Sequence, residues 1–112
     1  MKITEQELLK SVKWGSNKLL PVIVQDYISK QVLMMAWTNY DALLLSLQTG
    51  QANYWSRSRK CLWHKGATSG HFQNIKNIFL DCDGDTLLFH VEQIGGISCH
   101  TGVPSCFYKE VL

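Results

Sequence analysis

Three cysteines stand among residues suited to binding metal ions. Cys82 lies within the acidic segment Asp81–Asp85, and Cys99 and Cys106 delimit a short segment that also contains His100. Three thiolates can bind one zinc ion and leave its fourth position to water, whereas structural zinc sites usually close all four positions with protein ligands. The cysteines therefore indicate a catalytic zinc ion.

The acidic segment offers a second kind of metal ligand. Asp81, Asp83 and Asp85 recur at alternate positions, so in an extended chain they would project to one side and Cys82 to the other. Hard carboxylate oxygens suit magnesium, which is often bound together with substrate phosphates. A solvated turn is the simpler interpretation. A calcium loop is excluded because Thr86 stands where its sixth-position glycine is required.

The composition of the segment between Cys99 and Cys106 supports a zinc site more strongly than the spacing of the two cysteines does. Six residues separate the two cysteines, which is looser than in the usual paired-cysteine zinc site, so buried free thiols are the alternative. Glycines and a proline in and before this segment favour a turn-rich loop able to bring both sulfurs to one ion. In extended chain His100 would point away from Cys99, which favours proton transfer or a substrate hydrogen bond over zinc binding.

A third group of residues is suited to binding a phosphate and stacking on a nucleotide base. Arginines, hydroxyls and glycine-bounded amides bind phosphate, and indoles stack on bases. An exposed hairpin with ordinary charges is the alternative. If this group binds a nucleotide beside a zinc-bound water, the combination indicates hydrolytic attack on a purine or pyrimidine ring. Its members are Arg57, Arg59, Lys65, Thr68 and Ser69, interleaved with Trp55 and Trp63.

Composition favours a small intracellular enzyme. The 112 residues carry a formal net charge of +2, which gives no global basic field for nucleic acid or membrane. The first residues lack the pattern of a signal peptide, and no apolar segment approaches membrane-spanning length. We therefore expect a cytoplasmic protein in which the four cysteines stay reduced, with Cys61 left without a role.

The surrounding pattern predicts short strands and two helices. We expect one helix from the Thr4 capping box to near Gly15, and another from the capping motif Thr38–Asp41 to Gly50. Together these elements predict one α+β, β-rich domain over residues 1–112, with a sheet that curls on itself. The strands are predicted at Pro21–Ile28, Val32–Trp37, Asn53–Arg57, Leu62–Lys65, Asn74–Leu80, Thr86–Glu92 and Phe107–Lys109.

Several of these motifs, in this order, resemble phosphoribosyl-AMP cyclohydrolases of histidine biosynthesis. The resemblance extends from about Pro21 to Phe107, and departs from the family mainly at Gly96–Ser98, where relatives often have proline or alanine before the zinc cysteine. Some relatives carry a fused pyrophosphohydrolase domain; we expect none here and therefore a single activity. The motifs are Trp55–Arg59, Leu62–Gly70, Asp81–Asp85, Cys99–Gly102 and Ser105–Phe107.

The resemblance implies an architecture and a shared metal site. It implies an interlocked homodimer in which a mixed sheet curls into a pseudo-barrel with short flanking helices. Zinc would be bound by Cys82 of one subunit and by Cys99 and Cys106 of the other, and magnesium would lie at the three aspartates. The partners expected are a nucleotide substrate and a second copy of the chain, not nucleic acid or membrane.

The reaction that the resemblance implies is hydrolytic opening of an adenine ring. Zinc-activated water would attack C6 of 1-(5-phosphoribosyl)-AMP, break the bond from N1 to C6 and yield the formimino aminoimidazole carboxamide ribotide. We expect His100 to carry the proton, and Thr101 to join the substrate contacts of Arg57, Arg59, Lys65, Thr68 and Ser69. Two alternatives are a binding module with His100 as fourth zinc ligand and a nucleic-acid-binding domain.

Overall fold

A computed structural model describes residues 1–112 and contains two α-helices and six β-strands. The helices are α1 (Glu5–Ser11) and α2 (Tyr40–Thr49). The predicted α+β, β-rich class is confirmed. The strands are β1 (Leu20–Asp26), β2 (Val32–Thr38), β3 (Asn53–Ser56), β4 (Cys61–His64), β5 (Gln73–Leu80) and β6 (Leu87–Gln93).

Both helices begin within the predicted capping motifs, at Thr4 and at Asn39. The Thr4 hydroxyl accepts a hydrogen bond from the amide of Glu7 at 3.1 Å, and the Asn39 side chain accepts one from Ala42 at 2.9 Å. Each bond satisfies an amide that has no partner inside the helix, which stabilises a helix by about 1 kcal/mol. Gly50 ends α2 in the left-handed conformation, with φ of 72°.

The first helix is shorter than predicted. It ends at Ser11 and not near Gly15, because Val12 adopts extended dihedral angles and turns its side chain into the core. The next amide, of Lys13, then donates to the carbonyl of Gly84 at 2.7 Å. The tertiary contact with the 81–86 turn therefore replaces the helical hydrogen bond that sequence periodicity alone predicted.

The six strands form one mixed sheet in the order β4-β3-β2-β1-β6-β5. Only β1 and β6 pair in parallel, and every other neighbouring pair is antiparallel. The sheet curls into a half-barrel, which confirms the prediction of a curled mixed sheet with two helices. The predicted strand at Phe107–Lys109 is wrong: the Cys106 amide donates to the Leu33 carbonyl at 2.7 Å, but the Phe107 amide then donates to Ser105 Oγ at 3.0 Å and the chain leaves the sheet.

The two faces of the sheet differ in their neighbours. The inner face carries fully buried residues such as Val22, Tyr54 and Phe89, which pack with Leu8 of α1 and Leu43 of α2. On the other face, directly paired residues form an apolar row that crosses all six strands, because cross-strand partners share a face. This outer apolar row comprises Leu62, Trp55, Trp37, Pro21, Ile23, Met35, Leu88 and Phe79.

One strand pair departs from regular pairing. β2 and β3 are joined only through Trp37 and Trp55, whereas β3 and β4 pair at four positions. On one side of this bridge, the chain after Ser56 turns into β4, so the first half of β2 pairs with β1 but has no strand neighbour on the side that faces β3. This divergence opens a cleft in the sheet.

Candidate active site

The cleft between the diverging strands has a volume of about 390 Å³. It brings together three indoles, three cations, an imidazole and a thiol, which come from β2, the β3–β4 hairpin and the 97–106 loop. Such a mixture of apolar walls and a few polar groups is typical of a small-molecule site. Its lining comprises Met34–Trp37, Trp55–Arg59, Trp63, Lys65, Ser98, His100 and Cys106.

An arginine–indole pair stands in the cleft wall. The guanidinium carbon of Arg57 lies 4.4 Å from the ring centroid of Trp37, a cation–π contact. The turn that carries Arg57 and Arg59 is held by the Arg59 amide, which donates to Ser56 Oγ at 3.2 Å. Sequence analysis missed Trp37, because its position opposite Trp55 depends on a pairing between β2 and β3 that no local pattern specifies.

Two serines fix the 97–106 loop to the sheet. Ser98 is buried, and its hydroxyl lies 2.6 Å from the Pro104 carbonyl and 3.1 Å from the Leu33 carbonyl. The Ser105 hydroxyl donates to the Val32 carbonyl at 2.7 Å. These bonds place the residues that precede Cys99 and Cys106 against the start of β2. The sequence motif included both serines, but it gave no reason to assign them this anchoring role.

The two thiols of this loop are close enough to interact. Hydrogen bonds from the Thr101 hydroxyl, 3.0 Å from Cys99 Sγ, and from the Thr101 backbone lower the pKa of Cys99. Removal from water, followed by the neighbouring Cys99 sulfur, raises the pKa of Cys106. The Cys99 thiol therefore ionises before the Cys106 thiol, as expected of adjacent sulfurs that can share a cation. This donor pair fits zinc.

A buried lysine lies behind the same loop. Lys65 is 8% exposed, and its ammonium donates to the Ser98 carbonyl at 2.5 Å. Burial lowers the pKa of Lys65, and the nearby charges that oppose this shift are those of Cys106 and Cys99. The sequence predicted a phosphate contact for Lys65, and that prediction stays untested.

The acidic segment is a turn, as the simpler interpretation predicted, and not an extended strand, so the alternation of side chains expected of an extended chain does not occur. Gly84 has φ of 75°, and the Asp85 amide donates to Asp81 Oδ1 at 3.0 Å, which closes the turn. Nevertheless, carboxylate oxygens of Asp81, Asp83 and Asp85 lie within 4.8 Å of one another. The side-chain hydrogen bond with Asp81, partial desolvation and the charges of the other two carboxylates raise the pKa of Asp85. A divalent cation would relieve this repulsion, and the all-oxygen donor set fits magnesium.

Within one chain, Cys82 does not join the other two cysteines. It lines a separate cavity of about 890 Å³ that also includes the N-terminal residues and β5. The turn that holds Cys82 precedes Leu87, which pairs with Val22 near the start of β1, whereas Cys106 bonds to Leu33 near the start of β2. Since β1 and β2 are antiparallel, these groups lie at opposite ends of the sheet.

The remaining candidates lie outside the cleft lining. Thr68 and Ser69 are exposed in the β4–β5 loop, where Ser69 Oγ accepts a hydrogen bond from the His71 amide at 3.1 Å. His64 is bonded to a glutamine side chain at 2.8 Å and does not line the cleft. Cys61 is exposed at the start of β4.

Comparisons with known proteins decide the family. A family model described as phosphoribosyl-AMP cyclohydrolase matches residues 34–108. A phosphoribosyl-AMP cyclohydrolase of Nitrosospira multiformis is 58% identical over 103 residues, covering 92% of this chain and 79% of the relative. One of Trichormus variabilis is 57% identical over 102 residues, covering 91% and 88% respectively. The chain belongs to the phosphoribosyl-AMP cyclohydrolase family.

Membership in the cyclohydrolase family confirms the predicted resemblance and the prediction that the chain is an enzyme. A further relative, the histidine biosynthesis bifunctional protein HisIE of Prochlorococcus marinus, is 51% identical over 106 residues, which are 95% of this chain and 47% of that protein. The matched range of the cyclohydrolase model contains the acidic turn and the 97–106 loop, and all of the cleft. No helix of this cyclohydrolase has the length and apolar character needed to cross a membrane.

Proposed function

We propose that this cyclohydrolase opens the adenine ring of 1-(5-phosphoribosyl)-AMP by hydrolysis of its bond from N1 to C6, a step of histidine biosynthesis. The product would be the formimino aminoimidazole carboxamide ribotide. The observation that carries the proposal is the cleft, in which a cysteine and a histidine face indoles and arginines. Family membership supports the same substrate, since the relatives are named for it.

Two groups of donors suit two metal ions. Cys99 and Cys106, completed by Cys82 of a second copy, would hold zinc, and Asp81, Asp83 and Asp85 would hold magnesium. When bound, zinc lowers the pKa of water and so supplies a nucleophile near neutral pH, and magnesium offsets phosphate charge. The support for each site is its donor chemistry: adjacent thiols in one case and mutually repelling carboxylates in the other.

The side chains of the cleft would bind the substrate and move its protons. Arg57 and Arg59 are exposed at the hairpin tip, where their guanidinium groups can bind a phosphate by two hydrogen bonds each. Trp37 and Trp55 offer aromatic surface for the adenine ring. His100 would accept a proton from the attacking water and deliver it to N1 as the bond from N1 to C6 breaks.

A homodimer would complete the zinc site. The cysteines are divided between opposite ends of the sheet, so a second copy is the simplest source of the third sulfur. The outer apolar row also needs a cover, since Ile23 is 39% exposed and Phe79 is 46% exposed. Contiguous apolar surface of this kind marks protein interfaces.

Turnover of phosphoribosyl-AMP tests the proposal. The purified protein is assayed with magnesium, then after zinc removal by a chelator, and again after zinc is restored under reducing conditions. We expect turnover to vanish and return with zinc. No turnover by folded dimer that carries both metals would contradict the proposal and favour the zinc-stabilised binding module.

A further inference from the structure

Lys65 is a buried cation without a carboxylate to balance it. Its side chain is 8% exposed, and the ionisable groups near its ammonium are the thiols of Cys106 and Cys99. A buried ammonium normally needs an opposite charge nearby, because removal of an ion from water is costly. The two sulfurs are therefore the natural counter-charge of Lys65.

The backbone and side chain of Lys65 are both held in place. It directly follows β4, and its amide donates to the Ala52 carbonyl at 3.1 Å. The ammonium lies 5.5 Å from the ring centroid of Trp63 and donates to the Ser98 carbonyl at 2.5 Å. Because Ser98 directly precedes Cys99, this hydrogen bond joins β4 to the loop that carries both sulfurs.

We propose that Lys65 is a positioning residue of the thiolate cluster, which balances the charge of the cluster and fixes the backbone before Cys99. The inference rests on the proposed zinc site. Three thiolates and one zinc ion carry a net charge of minus one, and the lysine ammonium makes the group neutral. A neutral group is less costly to enclose than a charged one. This role replaces the phosphate contact, which Arg57 and Arg59 are better exposed to make.

Two substitutions separate the charge from the hydrogen bond. Lys65→Met removes both, and Lys65→Gln removes the charge but keeps an N–H donor for the Ser98 carbonyl. Zinc affinity is measured by competition with a chromophoric chelator under reducing conditions. We expect a 10–100-fold loss for Lys65→Met, as is typical when a group that supports metal ligands is removed, and a smaller but clear loss for Lys65→Gln. Lys10→Met, an exposed site on α1, is the matched control and should bind zinc like the wild type.

Thermal unfolding of the metal-free variants tests whether weaker zinc binding reflects a general loss of stability. Loss of a buried charge should leave the metal-free Tm of Lys65→Met unchanged or higher, so weaker zinc binding would not reflect a general loss of stability. If Lys65→Met does not fold, Lys65→Gln carries the test.

Each contrary result has its own meaning. Wild-type zinc affinity in both Lys65 variants, with a raised KM, would overturn the positioning role and support the phosphate contact. Wild-type protein that binds no zinc would overturn the zinc site of the proposed function, and the role of Lys65 with it.

Discussion

His100 is better placed for proton transfer than two other histidines of the chain. The rings of His64 and His90 are each held by a glutamine side chain at 2.8 Å, whereas His100 is exposed and lines the cleft beside Cys106. An exposed histidine is suited to proton transfer near neutral pH. The alternative assigns His100 to zinc, so a substitution can separate the two roles.

For His100→Gln we expect kcat to fall by about 10²–10⁴-fold, the usual contribution of a general acid or base. Zinc content should stay at the wild-type level, because the imidazole is not proposed as a ligand. Steady-state kinetics and metal analysis of the same preparation check both statements. His90→Gln is the matched control and should keep its activity. Loss of zinc together with activity would instead make His100 a ligand.

At the scale of elements, the β4–β5 loop depends on one glycine. Gly66 has φ of 93°, and a Cβ atom there would lie 2.4 Å from the amide nitrogen of Phe72. Gly70, in the same loop, also has positive φ (82°), but a Cβ atom there would meet nothing within 4 Å. The loop therefore contains two glycines with similar positive φ that differ in the space around them.

Alanine substitution should distinguish these two glycines. Gly70→Ala should cost about 1–2 kcal/mol of unfolding free energy, the strain of an L-residue in the left-handed region. Gly66→Ala adds a clash with backbone atoms and should cost roughly 1–3 kcal/mol more, which is typical of overpacking. Urea denaturation of both variants measures the difference. Equal losses would show that the loop can open around Gly66.

Locally specified elements were predictable, and contacts between distant segments were not. The caps at Thr4, Asn39 and Gly50 identified both helices, since each acts within a few residues of its own position. For the acidic segment the sequence left a turn and an extended chain as alternatives, and Gly84 together with the Asp81 side chain decides for the turn. Phe107–Lys109 has the composition of a strand, but the Phe107 amide donates to the Ser105 side chain and not to a strand, so the segment stays irregular.

The sequence predicted which residues form the candidate site better than it predicted how they are arranged. Arg57, His100 and Cys106 were expected at one site, and the structure brings them together in the cleft. The hydrogen bond from Lys65 to Ser98 joins residues 33 positions apart, and no local pattern specifies it. Trp37 was missed for the same reason.

On the scale of the whole molecule, each zinc site of the proposed dimer would be built from both subunits, because the cysteines of one chain are divided between two places. Cys82→Ser and Cys99→Ser should each be inactive as homodimers. In a mixed dimer, one site would have both substitutions and the other would have none. After unfolding and refolding in equal amounts, we expect about a quarter of the wild-type activity, because half of the dimers are mixed and each has one intact site. No recovery in the mixture would mean that each site is built within one chain.

The outer apolar row provides a second test of the dimer. Ile23→Glu places a charge in the middle of this row and should shift the protein toward monomer, with weaker zinc binding as a consequence. Sedimentation at several concentrations measures the shift. Ile28→Glu, in the β1–β2 turn where Ile28 is 72% exposed, is the matched control. Unchanged association of Ile23→Glu would place the interface elsewhere.

The single bridge between β2 and β3 has a mechanical consequence. The base of the β3–β4 hairpin is fixed in the core, where Tyr54 is buried and hydrogen-bonded to Gln73, but its tip has only Trp55 and the Arg57–Trp37 contact behind it. The tip can therefore rotate about the bridge without breaking a ladder of hydrogen bonds, and so can close over a bound nucleotide. We expect amide hydrogens at the tip to exchange with solvent much faster than that of Tyr54, and to slow when nucleotide binds.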